Sequence, residues 1–159
     1  MDRAIVIRPD FPRGRRIIAV SDIHGNLPFF QALLRKIRLT PQDILVLDGD
    51  ILEKGRDSLA LLRRVMELSR THTVYPICGN CDGLVLRFFE TDELDGRFFS
   101  FYLPQHPEST LRQLAREGGF EQLDDLPRLR RDLREAYPGI WDWLRRMPTI
   151  LETEHLVFV

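Results

Sequence analysis

The sequence predicts an α/β fold, a largely parallel sheet flanked by helices, with a helical insertion in its second half. Three observations predict it. Short, continuous, β-branched apolar runs alternate with amphipathic stretches up to about residue 80. A polar motif follows each run at the length of one strand–helix–strand unit. Beyond Leu84 the strand pattern gives way to Arg, Glu, Asp and Leu, broken by Pro and Gly.

Arg16 to Ser21 reads as the first strand, ended by a polar turn. Leu27 to Arg38 carries Phe29, Phe30, Leu33, Leu34 and Ile37 at helical spacing. Thr40-Pro41-Gln42-Asp43 is a turn before the second strand, Ile44 to Leu47. Arg56 to Arg70 is a second helix, with Leu59, Leu62, Val65, Met66 and Leu68 as its stripe, and Thr73 to Ile77 is a third strand. The insertion, 84–149, reads as several short helices separated at Pro104, Gly118-Gly119, Pro127 and Pro138-Gly139. Its run Pro127 to Ala136 sets Leu129 and Leu133 on one face. The Arg residues there read as a solvated surface with pairs such as Arg128–Asp132 and Arg131–Glu135, and Trp141 and Trp143 as packing residues. The end of the chain, Glu154 to Val159, reads as a buried strand directed at the same sheet edge as the motifs. The 159 residues are expected to form a single domain, 1–159.

The composition excludes several classes. With 23 Lys+Arg against 24 Asp+Glu the net charge is -1, so no bulk positive field exists to hold a nucleic-acid backbone or an anionic membrane. Two cysteines cannot make a disulfide framework, and no apolar run is long enough to span a bilayer. A cytoplasmic location is expected.

The chemistry sits at the strand ends. The motifs are Ser21-Asp22-Ile23-His24-Gly25-Asn26, Leu47-Asp48-Gly49-Asp50 and Gly79-Asn80-Cys81-Asp82. Each falls just past the carboxyl end of a strand, the edge where open α/β sheets bind ligands. Asp22 and His24 alternate along an extended strand end and can reach one ion. Asp50 can bridge two ions, and Asn80 offers a carbonyl oxygen to the second. Mixed N and O donors suit Mn²⁺, Fe or Zn²⁺ better than Ca²⁺. Cys78-Gly-Asn-Cys81 also permits a thiol-redox module, and a non-catalytic metal-binding domain of the same fold is a further alternative.

These residues resemble the calcineurin-like metallophosphoesterases, Ser/Thr protein phosphatase-like branch, whose pattern is Asp-x-His-Gly, Gly-Asp-x-Val-Asp-Arg-Gly and Gly-Asn-His-Glu. Ser21 to Gly25 matches the first, and Gly49-Asp-Ile-Leu-Glu-Lys-Gly55 the second with two changes. Gly79-Asn-Cys-Asp82 matches the third, in the form seen in small bacterial phosphodiesterases of the superfamily. The resemblance covers Arg16 to Asp82. It implies a partial αββα sandwich and hydrolysis of a phosphomonoester or phosphodiester by a water that two metals activate, manganese being favoured. It implies that Asp22, His24, Asp50 and Asn80 hold the metals, that Lys54 and Asn26 face the phosphate, and that Cys81, Asp82 and Glu53 occupy catalytic positions. Cys81 stands where the family has the His that protonates the leaving group, Lys54 where it has an Arg, and Glu53 where an Asp orients that His. The expected partner is a phosphorylated small molecule or phosphoprotein, with a homo-oligomer possible. His72 and His155 are expected at the amino ends of strands, and His106 in a surface or packing role. The family's later His motifs are absent, so the chain is expected to be the N-terminal part of a longer protein. As it stands it should bind a second metal poorly and show little or no activity.

Overall fold

The computed structural model describes residues 4–90, 96–120 and 122–159, with side chains omitted at 96 and 97; the parts of the expected domain at 1–3 and of the insertion at 91–95 and 121 lie outside the described residues. The elements run β1 (Val6–Ile7), β2 (Ile17–Val20), α1 (Leu27–Lys36), β3 (Ile44–Asp48), α2 (Ser58–Leu68), β4 (Thr73–Ile77), α3 (Asn80–Glu90), α4 (Gly96–Gln105), α5 (Thr110–Gly118), α6 (Leu126–Ala136), α7 (Pro138–Arg145), β5 (Ile150–Glu152) and β6 (Val157–Phe158).

The three expected strands form one parallel sheet in the order β2-β3-β4, with Val20 opposite Leu47 and Asp48 opposite Ile77. Pro76 is tolerated in β4 because β4 is an edge strand, where a missing N–H leaves no ladder bond unmade. The central strand explains the layering. Leu45 and Leu47 face the core shared with the helices, whereas Ile44 and Val46 face Ile77 and Leu151. A strand apolar on both faces needs two covers, and the second is another sheet, β1-β5-β6. This is the partial αββα sandwich expected, with helices on one face of the parallel sheet and a small mixed sheet on the other.

That second sheet corrects the reading of the chain end. The strand after α7 is β5, parallel to β1, and Thr153 to Leu156 form a turn into β6, which returns antiparallel. Leu156, Val157 and Val159 are exposed, so Glu154 to Val159 is a hairpin arm and not a buried strand. His155 therefore lies in a turn and does not open a strand. A continuous apolar run alone does not reveal whether a strand has a cover on both faces.

Among the described residues five helices, α3 to α7, run between β4 and β5; the expected breaks at Gly118-Gly119, Pro127 and Pro138-Gly139 fall at helix ends, whereas Pro104 lies inside α4. Gly119 caps α5 in the left-handed region at φ 73°, and Pro127 and Pro138 open α6 and α7. The α6 surface differs from expectation in two ways, the first being that among the described residues Arg131 and Glu135 make no ion pair with each other. Arg128 and Asp132 pair at 3.6 Å as foreseen, but Arg130 is buried, donates its Nε–H to the Phe88 carbonyl at 2.8 Å and lies over the Phe88 ring. Trp141 and Trp143 pack partly buried against the core. Among the described residues no helix is long and apolar enough to cross a membrane.

The start of the parallel sheet is tied by Arg16, whose Nε and Nη2 donate to the two oxygens of Asp43 at 2.9 and 2.7 Å. Arg16 and the Thr40 N–H hold the Asp43 carboxyl well below the usual carboxylate range. A carboxylate depressed in the folded state stabilises the fold fully above its unfolded value, about pH 4, and that stability is lost as pH falls towards the folded value. Asp43→Asn is therefore expected to flatten the loss of thermal stability below about pH 4, read from melting temperatures across an acid series. An unchanged acid slope would show that the pair does not contribute.

Candidate metal centre

The parallel register delivers the three motifs to one edge, and backbone bonds extend the alignment past the strands. Asp22 N–H donates to the Gly49 carbonyl at 3.3 Å, His24 N–H to Asp50 at 2.9 Å and Gly25 N–H to Ile51 at 2.8 Å. The chain bends sharply here. Asp22, His24 and Asp50 have φ of 54°, 46° and 51°, the left-handed region that disfavours side chains. Each such residue costs on the order of 1 kcal/mol, and such strain gathers at functional sites. Gly79 allows the close approach, since a Cβ there would lie 2.3 Å from the Asp50 nitrogen.

His24 is the hub. Its Nδ1 lies 3.3 Å from the Leu52 carbonyl, which can only accept, so Nδ1 carries the proton and Nε2 keeps its lone pair. Nε2 lies 3.6 Å from Asp22 Oδ1 and 3.7 Å from Asp50 Oδ2. Lys54 Nζ donates to Nε2 at 3.0 Å, occupying the direction from which a cation would be bound. The Asp22 side chain is 70% exposed, but that of Asp50 only 15%, because Asp50 Oδ1 accepts the Cys81 N–H at 3.0 Å. Asn80, at the start of α3, donates its amide to Cys81 Sγ at 3.7 Å. Asn26 precedes α1 without capping it by its side chain and lines, with Asp22 and the exposed Phe29, a groove of about 290 Å³.

Two of the remaining sequence candidates face the protein. Asp82 is fully buried and accepts from Ile51, Leu52 and Gly79 N–H at 3.3, 2.9 and 3.0 Å, stapling the second motif to the third. Burial pushes its carboxyl up to about 6 despite these three donors. Glu53 is buried and accepts the Thr110 N–H at 2.8 Å and the Tyr102 hydroxyl at 2.5 Å. Both residues fix the loop that carries Asp50 and Lys54.

Several residues of this site carried no sequence signal. Tyr102 and Thr110 meet Glu53 from about fifty residues away, and Gln113 donates to the Gly55 carbonyl and accepts from Leu59 N–H. Asp48 Oδ1 is buried without a hydrogen-bond partner. Burial, then the Asp22 charge, raises its carboxyl. His72 precedes β4, and His106 is an exposed side chain stacked on Tyr102, as expected of a histidine outside the cluster. Tyr102→Phe is expected to lower stability by about 2 kcal/mol, because a buried carboxylate oxygen loses its donor. Thermal unfolding checks this, and an unchanged midpoint would contradict the role given to the hydroxyl.

The residues present fit a divalent cation. An imidazole lone pair, two carboxylates within 3.7 Å of it and a nearby orphaned acceptor at Asp48 are a cation's donor chemistry. The thiols do not fit a redox pair, since burial pushes Cys78 up to about 12 and Cys81 up to about 11, away from the thiolate such chemistry needs.

The α/β layered fold brings Asp, His and Asn motifs to one edge of the parallel sheet, where their donor atoms could hold a divalent cation. The chain belongs to the calcineurin-like phosphoesterase family, whose pattern it matches over residues 15–158. It is 48% identical over 50 residues to a symmetrical bis(5'-nucleosyl)-tetraphosphatase of Aggregatibacter actinomycetemcomitans, covering 31% of this chain and 18% of that protein. It is 33% identical over 86 residues to serine/threonine-protein phosphatase 2 of Salmonella typhimurium, covering 54% of this chain and 37% of that one. A crystal structure titled a putative diadenosine tetraphosphatase superposes with a TM-score of 0.56 at 22% identity, covering 95% of this chain and 50% of that chain. The chain thus spans half the length of that structure, and less of the curated relatives.

Proposed function

We propose that this protein hydrolyses phosphate esters, using divalent metal ions held at the strand edge. The observation that carries the reading is the convergence of Asp22 and Asp50 on His24 Nε2, at 3.6 and 3.7 Å. Asp22 and His24 would hold one ion, Asp50 would lie between two, and Asn80 would supply an oxygen to the second. When bound, such ions supply Lewis-acid polarisation of the phosphoryl group and activation of a water.

The chain's own residues do the rest. Leu52 holds the His24 tautomer through Nδ1, so Nε2 stays available. Asp82 and Glu53 act as positioning residues beneath the loop. Lys54 turns from His24 to the substrate phosphate as a point charge, without the bidentate grip of an Arg. Asn26 borders the groove where the ester group would lie, and Cys81 Sγ faces the metal cluster, within reach of either a cation or a leaving group. The absence of an Arg fork in the second motif, together with the likeness to tetraphosphatases, favours small phosphorylated molecules over phosphoproteins. Two cysteines left as thiols suit a reducing cytoplasm.

The test is release of nitrophenolate from bis(4-nitrophenyl) phosphate and 4-nitrophenyl phosphate with Mn²⁺ or Zn²⁺. Against the sequence expectation of little or no activity, the reading expects metal-dependent turnover that a chelator abolishes and the metal restores, because Asp22 and Asp50 already converge on His24. Bound metal without turnover would overturn it in favour of a binding domain.

A further inference from the structure

We propose that Cys81 Sγ is itself a ligand of the ion held by His24 and Asp50, which makes this a sulfur-containing metal centre. The inference rests on the metal-site reading above. His24, Asp50 and Cys81 each offer one donor atom, and the three atoms lie within 4.8 Å of one another. Among the described residues no other three His, Cys, Asp or Glu side chains gather as closely.

The spacing suits one small ion. Metal–nitrogen and metal–oxygen bonds of about 2.0–2.2 Å place tetrahedral N and O ligands about 3.4 Å apart, and a metal–sulfur bond of about 2.3 Å widens the edge to about 3.6 Å. His24 Nε2 and Asp50 Oδ2 already stand at 3.7 Å. The sulfur closes the remaining gap by a side-chain rotation, since its backbone is fixed to the same carboxylate through the Cys81 N–H on Asp50 Oδ1.

The other contacts of the sulfur leave it available. Its hydrogen-bond contact with Asn80 Nδ2, at 3.7 Å, is long and weak. Cys81 lies in the first turn of the eleven-residue helix α3, next to Asn80 and on the segment that faces Asp50. Cys78 differs, because its Sγ is directed at the Gly79 carbonyl at 3.6 Å. Coordination forms one metal–sulfur bond and releases the thiol proton to water, while Lys54 leaves His24 Nε2. A thiolate in the set shifts the preference from manganese towards zinc or iron.

Cobalt(II) reports the donor atoms directly. The chain is titrated with cobalt(II) without oxygen and its absorption is read. The proposal expects visible ligand-field bands together with a sulfur-to-cobalt charge-transfer band in the near ultraviolet. Cys81→Ser should lose the charge-transfer band, keep ligand-field bands and bind zinc roughly tenfold or more weakly. Cys78→Ser should keep both bands. Ligand-field bands without charge transfer in the unaltered chain would overturn the sulfur ligand and leave the metal site standing. A charge-transfer band lost in Cys78→Ser and kept in Cys81→Ser would also overturn it. Absence of cobalt binding would overturn the metal-site reading itself.

Discussion

Asp50→Asn is expected to weaken divalent metal binding by roughly 100-fold or more, and metal-dependent ester hydrolysis with it. The carboxylate has two separate tasks. Its Oδ1 accepts the Cys81 N–H at 3.0 Å, and its Oδ2 faces His24 Nε2 at 3.7 Å. An amide can still accept the backbone bond through its oxygen. It then turns an uncharged NH₂ towards the position of the ion, which removes a negative ligand and adds a repelling donor. The fold should therefore survive while the ion is lost. Calorimetric metal titration with a circular-dichroism spectrum of the variant separates the two tasks. Unchanged affinity would remove Asp50 from the ligand set.

Glu53→Ala is expected to destabilise the chain by about 3 kcal/mol, since it strands a Thr110 N–H and a Tyr102 hydroxyl in a buried place. For a chain of this length that is a fall of roughly 6–12 °C in melting temperature. Glu53→Gln sharpens the test. The amide oxygen can accept from Thr110, and its NH₂ can donate to the Tyr102 oxygen, so most of the stability should return. Equal losses in both variants would show that charge, and not hydrogen-bond geometry, holds the loop. Because the loop carries Lys54 and follows Asp50, the alanine variant should also bind metal less tightly.

The contrast between these two residues marks what the sequence could tell. Asp50, His24 and Asp22 were legible because each follows a strand, and parallel strands align their ends whatever lies between. Glu53 was legible only as a departure from a family pattern. Its partners Tyr102 and Thr110 lie on helices whose docking depends on packing and has no periodic signature. The same limit applies to the fold. The strands β2, β3 and β4 announce themselves by continuous apolar runs. By contrast, β1 has two residues and exists through its pairing with Ile150 and Leu151. A stretch that short lacks a period to read. Arg130 shows the third limit, since a charged residue on an otherwise solvated helix gives no local sign that it will be buried against the Phe88 carbonyl and ring.

The site's central claim is that one ion sits between Asp22, His24 and Asp50. The most direct measurement is a crystal of the chain soaked in Zn²⁺ and recorded on both sides of the zinc absorption edge. An anomalous peak bonded to His24 Nε2 and to an Asp50 oxygen is expected, with Lys54 Nζ displaced from the imidazole. A peak elsewhere, or none at the strand edge while Lys54 remains on His24, would contradict it.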